Sequence, residues 1–226
     1  MSLHKGLNLV GSQFVEIGQT TKDIQEFFDP ESNTLPGYGD AFESATKLLV
    51  WGGTGYTTYE WSADGEGTAI GDATQDAKWL TQGGAAVAVD SAPAGKAFWV
   101  STTADSTVVV SGEVKDGTEE TAAVSGLTLL CNPFPVAMDI QNIVPDSSVP
   151  GYGDGFESAT KLLVWGGTGY TTYEWSAAGE GTAIGDPSQD SKWLTQGGAA
   201  VGVATIAVGE GFWINTSGSG NVTFSK

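Results

Sequence analysis

The sequence predicts an all-β protein made of two homologous modules in tandem. Each is expected to be a β-sandwich or a partly closed β-barrel, with at most short helical turns. Three observations carry this. The run from Phe42 to Ala63 recurs letter for letter from Phe156 to Ala177, a spacing of 114 residues. Self-similarity at a fixed spacing marks repeated modules. Glycine makes up 33 of the 226 residues, which suits frequent tight turns. Between the glycines stand short runs rich in Val, Thr, Tyr and Trp, the residues that favour strands.

A chain of this length holds one large domain or two of about 100 residues each. The duplication decides for two, with expected boundaries at 1–125 and 126–226. All eight Trp pair at the repeat spacing: Trp51/Trp165, Trp61/Trp175, Trp79/Trp193 and Trp99/Trp213. The copies align without a gap from Pro36 to Phe98, and insertions collect near the start of each module, as surface loops allow.

Each module opens with a strand, Gly6 to Val10 in the first and Gly126 to Leu130 in the second. Thr20 to Phe28 gives the one helical signal, a Thr N-cap candidate followed by an acidic residue in the first turn. Lys47 to Trp51 is an apolar strand run, Gly52 to Gly55 a turn, and Tyr56 to Trp61 a strand with Thr57, Tyr59 and Trp61 on one face. Together they predict a hairpin with a four-residue loop. Lys78 to Thr81 and Ala86 to Val89 read as a second hairpin, and Gly95 to Val100 and Thr107 to Gly112 as closing strands. Val114 to Thr121 is polar and reads as a linker or long loop.

Charge excludes several functions. The chain has 27 acidic residues against nine basic ones, all Lys, for a net charge of −18. Without Arg there is no bidentate fork for phosphate, and the field repels nucleic acid and anionic lipid. No apolar run is long enough to span a bilayer, so no membrane insertion is expected. No signal peptide is visible, and the first residues read as an added or retained start on a mature chain. Cys131 is the sole cysteine, which rules out an intramolecular disulfide and suits a buried structural thiol.

The segments Gly6-Leu-Asn-Leu-Val-Gly, Asn132-Pro-Phe-Pro, Leu-Leu-Val-Trp followed by Tyr-Thr-Thr-Tyr-Glu-Trp, and Gly209-Glu-Gly-Phe-Trp-Ile resemble all-β repeat modules of large secreted or cell-surface proteins of Gram-negative bacteria. The resemblance spans nearly the whole chain. It implies an extracellular or cell-surface location and no catalysis. The first copy departs from it, with Ser12-Gln-Phe-Val in place of Asn132-Pro-Phe-Pro, and Gly95-Lys-Ala-Phe in place of Gly-Glu-Gly-Phe.

Catalysis fits the residues poorly. The single His4 lies near a terminus, and a Ser-His-Asp or Cys-His arrangement needs its histidine inside a folded site. One His and one Cys cannot furnish a zinc site. The repeated carboxylates Glu43/Glu157, Glu60/Glu174, Asp40/Asp154 and Asp72/Asp186 are the best enzymatic lead, since paired carboxylates run glycoside hydrolysis. The competing reading is an acidic, strand-exposed and loop-exposed surface.

The expected function is therefore non-enzymatic: a subunit of a self-assembling surface layer or filament, forming homo-oligomers or polymers. The assembly candidates are Leu7, Leu9 and Val10 on the entry strand, as a donor strand, together with Trp99 and Trp213. The alternative is a carbohydrate-binding or adhesin module. Its sugar-stacking platform would be Tyr56, Tyr59 and Trp61, with Tyr170, Tyr173 and Trp175 in the second copy. Core packing competes for the same rings. No cofactor is required. Calcium is the candidate ion, with Asp40, Glu43, Asp154 and Glu157 as loop ligands, against the competing reading of a solvated loop.

Overall fold

Alternation along the repeated strands sets the architecture. In the computed structural model, residues 1–19, 21–28, 33–39, 44–81, 91–153, 158–166, 168–196, 198 and 204–226 are described. The protein is predominantly β, with several sheets, none of which closes on itself among the described residues. The chain divides into two compact units, Met1–Val114 and Lys115–Lys226.

In the first unit the main sheet contains β1 (Gly6–Gly11), β2 (Lys47–Trp51), β3 (Tyr56–Ser62), β4 (Lys78–Thr81) and β5 (Ala97–Thr102). The second unit has β6 (Gly126–Cys131), β7 (Lys161–Trp165), β8 (Tyr170–Ser176), β9 (Lys192–Thr195) and β10 (Gly211–Thr216). The spatial orders are β1-β5-β2-β3-β4 and β6-β10-β7-β8-β9, antiparallel throughout.

The hairpin β2–β3 turns through Gly52–Gly55, where the Gly52 N–H donates to the Gly55 carbonyl at 2.9 Å. Gly53 sits at φ 96°, a left-handed conformation open to glycine without steric cost. This turn pins the register Trp51↔Tyr56 and Lys47↔Glu60. Side chains alternate across a strand, so one sheet face carries Val10, Leu48, Tyr59, Trp61, Trp79, Phe98 and Val100, which form the core. The second core repeats it with Leu130, Leu162, Trp175, Trp193, Phe212 and Ile214. Trp61 and Trp79 are cross-strand partners with ring centroids 5.1 Å apart, and Trp175 and Trp193 lie 5.2 Å apart. A fully buried indole hides about 200 Å² and contributes up to about 5 kcal/mol of transfer free energy.

The helical expectation over 20–28 is corrected. Thr21–Asp23 is a strand paired with Ser91–Pro93. Only Ile24–Glu26 turns, as a 3-10 helix capped by Asp23, whose carboxylate accepts the Gln25 N–H at 2.9 Å. Long-range pairing takes the residues that would have formed the first helical turn. Gln25 then binds the edge of the sheet as a strand would. Its side-chain amide donates to the Trp79 carbonyl at 2.7 Å and accepts the Trp79 N–H at 2.8 Å. Gln141 does the same to Trp193, at 2.9 and 3.0 Å.

The polar stretch 114–121 is not wholly a linker. Glu119–Ala123 is a strand that pairs with Gly220–Phe224 inside the second unit. Of the proposed second hairpin, Lys78–Thr81 is a strand, and residues 82–90 lie outside the described residues.

Candidate functional site

The sheet face opposite the core is the best candidate, and the register defines its membership. Across the first unit it carries Leu7 and Leu9 on β1, Trp99 on β5, Leu49 and Trp51 on β2, and Tyr56 and Thr58 on β3. Leu9, Trp99, Leu49 and Thr58 stand in one row. In the second unit that row is Leu129, Trp213, Leu163 and Thr172, with Trp165 opposite Tyr170. At one end of each face the hairpin brings an indole and a phenol together. Trp51 and Tyr56 meet at 4.9 Å and 61°, and Trp165 and Tyr170 at 5.0 Å and 60°. The Trp213 indole N–H donates to the Tyr170 hydroxyl at 3.2 Å. Tyr56 is 42% exposed and Tyr170 43%.

The opposite end of each face is covered. Tyr38, Ala45 and Leu80 pack together there, as do Tyr152, Ala159 and Leu194. The approach of Tyr38 is fixed by Glu66. Its carboxylate accepts the N–H groups of Tyr38 at 3.1 Å, Gly39 at 2.7 Å and Ala63 at 2.7 Å. Glu180 receives Tyr152, Gly153 and Ala177 in the same way. A Cβ on Gly37 or on Gly151 would collide with these carboxylates.

The cover changes the reading of Glu60 and Glu174. They are not strand-exposed: each is 3% exposed, beneath that end of the face. One carboxylate oxygen of each is buried with no hydrogen-bond partner, as is the hydroxyl of Ser62 and of Ser176 two residues on. Neither glutamate reaches solvent, and neither faces a second carboxylate in register. The strand partners are Lys47 and Leu80 for Glu60, and Lys161 and Leu194 for Glu174. Asp72 and Asp186 serve as caps. Asp72 accepts from the Thr74 hydroxyl and the Gln75 amide, and these bonds hold its carboxyl below the usual range. Bonds from the Ser188 hydroxyl and the Gln189 amide do the same for Asp186.

The stacking platform is divided between two faces. Tyr59, Trp61 and Trp175 are buried in the cores, and Tyr173 packs half-buried on the second core. Only Tyr56 and Tyr170 stand on the outer face, where their partners are Trp51 and Trp165. Sequence reading missed those two indoles, although pairing across a four-residue turn places them opposite the tyrosines. Trp99 is half-buried on the outer face, and Trp213 is buried there. Of the donor-strand candidates, Val10 is in the core, while Leu7 and Leu9 lie on the outer face of β1. β1 is itself the edge strand of its own sheet, paired with β5 along all six residues.

The calcium candidates Asp40, Glu43, Asp154 and Glu157 lie outside the described residues. Among the described residues no group of three or more His, Cys, Asp or Glu is placed to hold a metal ion. Cys131 is buried and forms no disulfide. No helix is long and apolar enough to cross a membrane. The first unit has a cleft of about 710 Å³ lined by Asn33, Leu35, Trp61, Asp64, Asp76 and Lys78, among others. Its Asp76 is already committed to the Thr68 N–H and hydroxyl. No protein-family model, characterised protein sequence or solved structure matches the chain.

Proposed function

We propose that the protein is a non-enzymatic structural subunit in which one β module is used twice, and that it self-assembles at or outside the cell surface into a layer or filament. The observation that carries this is the outer sheet face, which is apolar, open at its aromatic end and built twice. An apolar surface rimmed by polar residues marks a contact site. Leu7, Leu9, Leu49 and Trp51 make it a mixed aliphatic and aromatic face, suited to protein packing. Each chain presents the face twice, so a contact through one copy leaves the other open, which favours polymers over closed dimers. The extracellular placement rests on the motif resemblance. Sedimentation velocity and electron microscopy of the purified chain test the reading: higher-order assemblies are expected, and a protein that stays monomeric at high concentration refutes it.

Glycan binding is the second reading, favoured by the exposure of Tyr56 and Tyr170. The ring geometry weighs against it, because a Trp–Tyr pair set near 60° offers no coplanar surface to a sugar. Glycan-array binding that disappears in Tyr56→Ala/Tyr170→Ala would promote it over assembly.

A further inference from the structure

We infer that the free edge of β1 pairs with the same edge of a second copy, antiparallel about Leu9, so that two main sheets join into one. The inference rests on the assembly reading and names its first contact.

In an antiparallel ladder each residue turns its N–H and C=O to the same side, and the side alternates along the strand. The Ser12 N–H donates to the Lys96 carbonyl at 2.7 Å, and the Ser12 carbonyl accepts the Gly95 N–H at 2.8 Å. Ser12 therefore turns toward β5, and so do Val10, Asn8 and Gly6. Leu7, Leu9 and Gly11 turn their backbone groups outward. The rest of the sheet keeps the same phase. The Trp61 N–H donates to the Thr46 carbonyl at 2.9 Å, so Glu60 and Ser62 bond to Leu80 and Lys78, and Trp79 is left facing outward on β4.

The two edges are finished differently. On β4 the Gln25 amide engages both outward groups of Trp79, and Gln141 does the same for Trp193 in the second unit. Among the described residues no hydrogen bond engages the outward groups of Leu7, Leu9 or Gly11. The second copy of this strand is covered at Leu129 and Cys131, which are buried. In the first copy Leu9 and Gly11 are half-buried and Leu7 is 59% exposed. The edge without a plug is thus the edge of β1.

An open edge takes an extended strand. Natural edges are guarded by lysine, proline or an inward charge, and Gly6–Gly11 has none of these. Charge selects a second β1 as the occupant. Residues 1–15 contain no Asp or Glu, and neither does β5 beside them, on a chain of net charge −18. Two copies can therefore meet here without bringing carboxylates together. Pairing about Leu9 sets Leu9 opposite its counterpart and Leu7 opposite Gly11. Every outward N–H and C=O of the strand then finds a partner. The leucines of both copies share one outer face, and Gly11, without a side chain, leaves room for Leu7. The two Lys5 fall at opposite ends of the pairing, more than about 20 Å apart, beyond a Debye length of about 8 Å. The pair is closed by a two-fold axis and leaves the aromatic ends of the outer faces available for growth.

Charge swaps at the axis test this, because only residue 9 meets itself. Leu9→Lys and Leu9→Glu each set like charges face to face, and Leu9→Thr keeps a neutral strand former. Leu9→Pro removes an N–H that its own sheet does not use, and its ring blocks an incoming strand. Melting temperatures report which variants stay folded. By sedimentation velocity, the Lys, Glu and Pro variants should each raise the concentration of half-association by roughly tenfold or more. Leu9→Thr should associate like the wild type, and an equimolar mixture of the Lys and Glu variants should recover association. In the wild type, amide exchange at Leu7, Leu9 and Gly11 should slow as protein concentration rises. If the mixture associates no better than either variant alone, or these amides exchange equally fast in dilute and assembled protein, the edge contact is overturned while assembly stands. A wild type that is itself monomeric overturns both.

Discussion

Trp79 and Trp193 occupy the same place in the two units, and both are fully buried. The Trp193 indole donates to the Ile143 carbonyl at 2.7 Å, whereas the Trp79 indole N–H is buried without a partner. The sheets around them are alike, so the difference comes from the segment packed above. In the second unit Ile143–Pro145 forms a strand on Gly220–Phe224 and turns its carbonyl inward. In the first, Phe27 and Phe28 fill the space. Phe27 lies 5.0 Å and edge-on to both Phe28 and Phe98, and Phe28 lies 6.2 Å from Trp79. One unit closes its core with a backbone ladder and an indole hydrogen bond, the other with aromatic packing. A duplicated sheet thus tolerates different lids, because burial is roughly proportional to area and indifferent to the partner, while hydrogen bonds are not.

The entry turns differ in the same sense and by more. Asn132, fully buried, donates to the carbonyls of Val136 at 2.7 Å, Ile206 at 3.2 Å and Ala207 at 3.3 Å, and accepts the Phe134 N–H at 2.9 Å. Ser12 stands in its place in the first unit, where its hydroxyl makes a long 3.4 Å bond to the Phe14 carbonyl. Asn132→Ala should therefore cost the second unit about 3 kcal/mol, since it strands several buried polar groups. Ser12→Ala should cost the first unit less than about 1 kcal/mol. Hydrogen exchange read separately over each unit checks the ratio. Equal losses would mean that the Asn132 bonds do not set the stability of the turn.

The indoles give a smaller and sharper contrast. Trp193→Phe removes a satisfied donor and should cost about 1–2 kcal/mol beyond the lost ring area. Trp79→Phe removes an unsatisfied one, so it should cost only the area. Denaturant unfolding of both variants tests this. If the two costs match, the Trp79 indole has a partner in solution.

Much of this was legible in the sequence, and the limits have physical causes. The repeat, the hairpin and the alternation of Thr57, Tyr59 and Trp61 follow from local pattern. The choice of inner face does not, because both faces of these sheets carry Trp and Leu. The burial of Glu60 was hidden for a related reason. Its strand reads as alternating, yet Tyr38 and Ala45 close over that end of the face. Their position depends on Glu66, more than twenty residues away in sequence. The helix expected near residue 20 was lost to pairing with Ser91–Pro93, a contact that local propensity does not encode. The outer-face indoles Trp51 and Trp165 were within reach, since the turn length fixes their register.

Acid separates the units least, through exposed caps. In the first unit the Thr68 hydroxyl holds Asp76 below its ordinary range, as Thr74 does for Asp72. In the second, Ser188 and Thr182 act on Asp186 and Asp190, and Ser148 on Asp146, which also accepts the Asn221 N–H at 2.6 Å. Asp116 is lowered there as well, by Lys226. A carboxyl whose folded pKa lies below its unfolded value binds fewer protons when folded. Its contribution is complete above the ordinary value of 3.8 and is withdrawn as pH falls through the lower folded value. Both units should hold steady down to about pH 4 and weaken below it, because the unfolded chain takes up protons that the caps refuse. Burial raises Glu119 in the second unit and opposes this, but its four lowered carboxyls against two in the first should still make its slope the steeper. Asp146→Asn should narrow the gap, since that cap ties Ser148 to the strand Gly220–Phe224. Hydrogen exchange followed from about pH 5 downward measures both slopes. Equal slopes in the wild type would show that these exposed caps, screened by solvent, do not distinguish the two units.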